Sequence, residues 1–190
     1  MTLQAGTRLG PYEIVEPIGK GGMGEVYRAA DHRLNRSVAI KILSAGAGVS
    51  AEARERFDRE AKAIARLEHP NVCRVYDVGR DRDLDYLVME HLEGETLASR
   101  MARGHLPVDE AIDVACQIAD GLAYIHQQGL VHRDLKPANV MLTRASAKLL
   151  DFGIAKRLAG TDRAGMTSST LVGAGEIGRA SCRERVCVPV

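Results

Sequence analysis

Hydrophobic positions in the first half of the chain recur with a period of two. Val38, Ile40 and Ile42 alternate with Ala39, Lys41 and Leu43. That alternation predicts a strand over residues 37–43 with Ala39 and Lys41 on one face. Residues 12–18 and 25–30 read as strands flanking a glycine cluster, and residues 74–78 and 85–89 as two more. Between these blocks the period changes to that of a helix. Phe57, Ala61, Ile64 and Leu67 recur at helical spacing, with Ser50 placed as N-cap and Glu52 in the first turn. Glu60 falls on the apolar face of this helix, and His69, Pro70 and Asn71 end it.

A second long helix is predicted from Pro107, a first-turn residue, with Asp109 and Glu110 close behind. Ile112, Ala115, Ile118, Ala119, Leu122 and Ile125 mark its expected buried face, and Gly129 caps its end. Short strands are expected at residues 140–143 and 147–150. Residues 160–169, rich in Gly, Thr and Ser, read as a loop. A strand-rich lobe with one helix therefore precedes a helical lobe, and residues 90–94 join them. The fold class is α+β.

Composition narrows the partners. The 190 residues are 45% hydrophobic and 27% charged, enough to bury a core without disulfides or metals. A formal net charge of +1 offers no strong field to nucleic acid or an acidic membrane. No apolar run reaches the roughly 18 residues of a membrane span, and residues 1–10 lack a signal pattern. Cys73, Cys116, Cys182 and Cys187 show neither disulfide nor metal spacing, as expected of reduced thiols in a cytoplasmic protein. The six histidines lack zinc-ligand spacing.

Three motifs carry chemistry. Gly19, Gly21 and Gly24 form G-x-G-x-x-G between two strands, where bare backbone can approach phosphates; alone, a flexible hairpin explains it equally well. A strand rather than a helix follows, which disfavours a dinucleotide fold. Lys41 in Val38-Ala39-Ile40-Lys41 is either a solvated edge lysine or a buried cation needing a partner. Glu60, inward-facing on the next helix, is the opposite charge expected to pair with it. The third motif is His132-Arg133-Asp134-Leu135-Lys136-Pro137-Ala138-Asn139 followed by Asp151-Phe152-Gly153.

With all of these in order, the chain resembles the eukaryotic-like serine/threonine protein kinases, particularly the bacterial branch, from about residue 12 to about residue 158. The resemblance implies a two-lobed fold: a β-rich N-lobe over residues 12–89, a hinge at 90–94 and a partial helical C-lobe over 95–175, with residues 1–11 as an N-terminal extension. It implies that Gly19, Gly21 and Gly24 cover the phosphates of ATP, and that Lys41, oriented by Glu60, holds them. Asp134 would accept the proton of a substrate Ser/Thr hydroxyl, Lys136 would contact the transferred phosphate, and Asn139 and Asp151 would hold Mg2+. Ile18, Val26, Ala39 and Met141 would enclose the adenine, with Met89 as gatekeeper and Glu90 to Leu92 as the hinge. Ile64, Val75, His132 and Phe152 would stack between the lobes. Lys136-Pro137 points to the serine/threonine rather than the tyrosine subgroup. Arg133 would pair with a phosphate on the loop containing Thr161, Thr167, Ser168, Ser169 and Thr170, placed there by autophosphorylation in trans.

The resemblance stops at about residue 175. No Ala-Pro-Glu-like motif follows, and residues 176–186 resemble the translation of a sequencing adapter, so residues 176–190 are expected to be a non-native tail. A kinase domain cut there would leave apolar surface on the long helix uncovered and lack the peptide-binding loop. Bacterial relatives often continue into a membrane anchor and a sensor domain. Two other readings stay open: a pseudokinase or nucleotide-binding module, and a small-molecule phosphotransferase. The complete set Lys41, Glu60, Asp134, Asn139 and Asp151 disfavours the first. Arg133 and the Lys136-Pro137 pair disfavour the second.

Overall fold

The computed structural model describes residues 2–21, 24–43, 51–81 and 84–151, with side chains of the first helix described at Glu55 and over 59–64. The side chain of Phe57, together with Ser50, Phe152, Gly153, the Ser/Thr cluster and residues 176–190, lies outside the described residues.

The upper lobe is one antiparallel sheet. Its strands are β1 (Arg8–Leu9), β2 (Tyr12–Gly21), β3 (Gly24–Asp31), β4 (Arg36–Leu43), β5 (Val75–Asp81) and β6 (Leu84–Glu90), in the spatial order β1-β2-β3-β4-β6-β5. Helix α1 (Ala51–Ile64) connects β4 to β5. The period of two in β4 sorts side chains into two cores, one per face of the sheet. Val38, Ile40 and Ile42 join Leu9, Tyr12, Tyr27 and Tyr86 on the outer face. Ala39 and Leu43 face the other way, into a cluster with Ala61 and Ile64 of α1 and Val75, Leu87 and Met89 of β5 and β6.

That second cluster does not end at the sheet. It continues through Ile125, Val140, Ala147 and Leu149 into the lower lobe. The lower lobe contains β7 (Gly94–Thr96), α2 (Leu97–Ala102), α3 (Val108–Gln127), β8 (Val140–Thr143) and β9 (Ala147–Leu149), with β7-β8-β9 as a second sheet. Backbone bonds stitch the segment after α1 to β9: Cys73 N–H donates to Leu149 O at 2.9 Å, and Leu149 N–H donates to Asn71 O at 2.8 Å. Asn71 Nδ2 donates to Ala147 O at 2.9 Å, and Ala147 N–H donates to Gln117 Oε1 of α3 at 2.7 Å. Gly121 lets α3 approach this seam; a Cβ there would lie 3.0 Å from Asn71 O.

Helix α3 ends as its sequence indicates. Gly129 adopts φ +73°, its N–H donates to His126 O, and Leu130 N–H donates to Ile125 O, the paired bonds of a Schellman cap. Its start and its outer face differ from expectation. Pro107 precedes the helix as N-cap rather than opening the first turn. Ile125 is buried and Ile118 and Leu122 are half-buried, but Ile112 is 55% exposed and Ala115 and Ala119 are exposed. Val108 at 73% and Leu135 at 49% add to this open apolar surface. Periodicity identifies an apolar stripe; what covers it depends on neighbouring elements, and none among the described residues reaches these positions. Three short elements, β1, β7 and α2, have no counterpart in the sequence pattern, because two, three and six residues are too few to show a period. Leu9 of β1 is buried in the outer core, and residues 8–9 pair with β2 as part of the sheet.

Gly94 is sterically required where β7 begins. Its φ is +153°, and a Cβ would lie 2.0 Å from Leu142 O in the neighbouring backbone. Gly104 has a similar φ of +131° with nothing within 4 Å. We expect Gly94→Ala to lower stability by about 3 kcal/mol or more, combining backbone strain with overpacking. Gly104→Ala should show only the strain component, about 1–2 kcal/mol. Urea unfolding of the two variants checks this; equal losses would contradict the steric account.

Candidate active site

The glycine cluster sits at the tip of the β2–β3 hairpin, where Gly19 faces Val26, Lys20 faces Glu25 and Gly21 faces Gly24. Gly24 is fixed by more than local flexibility. Its φ is +125°, and a Cβ would lie 2.1 Å from the backbone oxygen of Ile42 in β4. The hairpin thus packs directly on the strand that carries Lys41. Across β3 and β4, Val26 pairs with Lys41; across β4 and β6, Ala39 pairs with Met89. Ala39 and Met89 are buried, and Val26 and Leu92 pack against their cluster. Ile18 is 46% exposed at the base of the hairpin, and Met141 is half-buried on β8.

Lys41 is the buried charge of the site. Its side chain is 6% exposed, and its Nζ lies 2.7 Å from Asp151 Oδ2. A cation so enclosed needs a carboxylate beside it. The expected partner was Glu60, but Glu60 Oε1 accepts a hydrogen bond from Arg133 Nη1 at 3.1 Å. The two carboxylates have divided the two cations between them. Sequence can show that a lysine and a glutamate face inward; it cannot rank the carboxylates that compete for the lysine. Arg133 and Asp151, which take part in these substitute pairs, both hold positive φ, +61° and +48°. That backbone state is rare for non-glycine residues and is concentrated at functional sites.

The segment from His132 to Asn139 is tightly cross-braced. Lys136 Nζ donates to Asp134 Oδ2 at 3.0 Å, and Asn139 Nδ2 donates to the same oxygen at 3.0 Å and to Asp134 O at 2.9 Å. Leu150 N–H donates to Asn139 O at 2.8 Å, which brings Asn139 beside the residue preceding Asp151. His132 is buried, and its Nε2 bonds Leu150 O at 2.7 Å, so Nε2 carries a hydrogen. Burial pushes the His132 imidazole below its ordinary pKa, which leaves it neutral at pH 7. Ile64 and Val75, expected to stack with His132 between the lobes, are buried in the continuous core.

Two site features have no signal in the sequence. Lys148 Nζ donates to both carboxylate oxygens of Glu90, at 3.1 and 2.8 Å, so β9 is tied to the end of β6. Cys73 lies behind the same point, its Sγ 3.9 Å from Glu90 O, and burial with the Glu90 charge pushes its thiol up to about 12. In both cases the partners are far apart in sequence, and no local pattern announces them.

Asn139 and Asp151 supply an amide and a carboxylate, oxygen donors suited to a hard divalent cation. Among the described residues no cluster of three or more His, Cys, Asp or Glu could hold a metal alone. A cation here would take its remaining ligands from phosphates and water, the usual state of protein-bound magnesium.

Comparison with known proteins agrees with this arrangement. The family described as "Protein kinase domain" matches residues 12–175. Serine/threonine-protein kinase pkn2 of Myxococcus xanthus is 44% identical over 163 residues, covering 84% of this chain and 20% of that protein. Serine/threonine-protein kinase PrkC of Bacillus subtilis is 44% identical over 154 residues, covering 80% of this chain and 24% of that one. The chain therefore spans about a fifth to a quarter of the length of these curated relatives. Among solved structures, the Mycobacterium tuberculosis PknI kinase domain aligns with a TM-score of 0.74 at 36% identity, over 80% of this chain and 62% of that one. With the motif residues assembled on a β-rich upper lobe and a partial lower lobe, the chain belongs to the protein kinase domain family.

Proposed function

We propose that this chain is the ATP-binding and phosphoryl-transfer part of a serine/threonine protein kinase, with residues 12–175 as the kinase-domain segment. The observation that carries the reading is the convergence on one cleft of buried Lys41, Asp151 and the cross-braced Asp134–Lys136–Asn139 group. The glycine hairpin would lie over the phosphates of ATP, and Lys41 would hold them. Val26, Ala39 and Met141 would enclose the adenine against Met89 and the Glu90–Leu92 segment.

Two donors on Asp134 Oδ2 fix the orientation of that carboxylate. It is thereby aimed to accept the proton of a Ser or Thr hydroxyl as that oxygen attacks the γ-phosphate. Lys136, 3.0 Å away, supplies positive charge beside the transferring group. Asn139 and Asp151 would hold magnesium, which when bound neutralises charge on the phosphates. For Asp151 to do so it must share or release Lys41, and Lys41 then needs Glu60. If Glu60 turns from Arg133 to Lys41, Arg133 becomes available to a phosphate on the segment from Thr161 to Thr170. The ion pairs seen in this structure are in this sense the resting arrangement.

The decisive assay is transfer of labelled γ-phosphate from ATP to a generic Ser/Thr protein by the intact protein that carries this chain. Asp134→Asn should lower kcat by about 10²–10⁴, the usual contribution of a positioned general base. Lys41→Met should lower kcat/KM by on the order of a hundredfold or more through lost charge stabilisation. Chelation by EDTA should abolish transfer, and added Mg2+ should restore it. ATP binding without transfer to any protein would favour a pseudokinase, and transfer only to a small molecule would favour a phosphotransferase.

A further inference from the structure

The β2–β3 hairpin is irregular along the arm that leads to its tip. Its register shifts between Ile14 and Glu16 and again between Pro17 and Gly19. Such bulges interrupt a ladder and bend the strand. Pro17, paired with Tyr27, has no N–H to donate. A hairpin that must hold phosphates with its backbone therefore has a weak ladder just below the glycines.

Residues 2–9 touch both arms at that level. On the β2 arm, Gly6 N–H donates to Ile14 O at 2.8 Å and Ile14 N–H donates to Thr7 O at 2.9 Å, while β1 pairs Arg8 with Glu13. On the β3 arm, Leu3 N–H donates to Tyr27 Oη at 2.9 Å and Thr2 Oγ1 donates to Glu25 Oε1 at 3.1 Å. The Tyr27 hydroxyl in turn donates to Glu25 Oε2. Lys20, from the β2 arm, reaches Glu25 Oε1 at 3.1 Å. Tyr27 is fully buried in the outer core, and Leu3 packs against that cluster. Alternation along β3 puts Glu25 and Tyr27 on the face opposite Val26. Val26 packs against the cleft-side cluster, so these contacts lie behind the hairpin. The Tyr27 hydroxyl and the Lys20 ammonium hold the Glu25 carboxyl below its ordinary range, so it is ionised at neutral pH.

We propose that residues 2–9 form a strap that positions the glycine hairpin from its outer face, with Glu25 and Tyr27 as the positioning residues through which it acts on nucleotide affinity. The proposal rests on the ATP-dependent reading of the site. Neither residue is asked to contact the nucleotide; each ties an arm of the hairpin to the strap.

The test uses the intact protein. Tyr27→Phe keeps the buried ring and removes only the hydroxyl that links Leu3 to Glu25; Thr2→Val removes the outer bond and Thr2→Ser keeps it. With Tyr27→Phe, KM for ATP should rise about three- to tenfold, the effect of losing an ordinary hydrogen bond. Thr2→Val should give a smaller rise and Thr2→Ser none, while kcat and KM for the protein substrate hold. Amide hydrogen exchange at residues 18–26 should quicken in Tyr27→Phe without change elsewhere in the sheet. Unchanged exchange at 18–26, or quickening spread over the whole sheet, would overturn the strap as a positioning device. So would an unaltered KM for ATP in an active enzyme. Exchange is read without nucleotide, so a protein that transferred no phosphate would defeat the kinase reading and still leave the strap to be decided.

Discussion

The buried ammonium of Lys41 is the constraint around which the rest of the site is arranged. A lone charge in this position would be expelled or neutralised, so the fold must deliver a carboxylate to it. Removing one partner of such a buried pair typically costs about 3–5 kcal/mol. Asp151 meets the requirement from the lower lobe, across the cleft from the strand that holds Lys41. One ion pair therefore does two jobs. It solvates the lysine, and it fixes the distance between β4 and the segment that follows β9.

The surroundings make that closure reproducible. The cleft-side core runs without a break from β4 and α1 to α3 and β9. Asn71, Gln117 and the backbone of residues 147–149 form a polar seam beside it. Lys148 on Glu90 adds a second tie at the hinge. The lobes are thus joined by apolar packing at the back and by charge at the front. The contact between Glu60 and Arg133 is partly exposed, and each has an alternative use in the proposed reaction.

Much of this was legible in the linear sequence, and the limits are physical. The longer strands of the upper sheet, α1 and α3 show in their periods, and the Schellman end of α3 shows in Gly129. The chemistry-bearing residues show because each motif is short and contiguous. What the sequence could not rank is competition. Lys41 has two inward carboxylates within reach of its lobe interface, and only the packed structure decides between Asp151 and Glu60. Nor could periodicity tell an apolar stripe that is covered from one that is not, as Ile112 shows. Residues 2–9 carry no period at all; their place is set by hydrogen bonds to Ile14, Glu25 and Tyr27, by the pairing of β1 with β2 and by the burial of Leu9.

Gly24 bears on how substitutions in this family are to be read. Its missing side chain makes room for a carbonyl of β4, so the position answers to the sheet as well as to any bound phosphate. A descendant of this chain that lost catalysis entirely would still be under pressure to keep glycine there, whereas Gly19, with only the Val26 side chain 3.7 Å from a built Cβ, would be free to drift. Retention of the third glycine is therefore a record of folding, and the first is the more informative witness to whether a nucleotide is still being held.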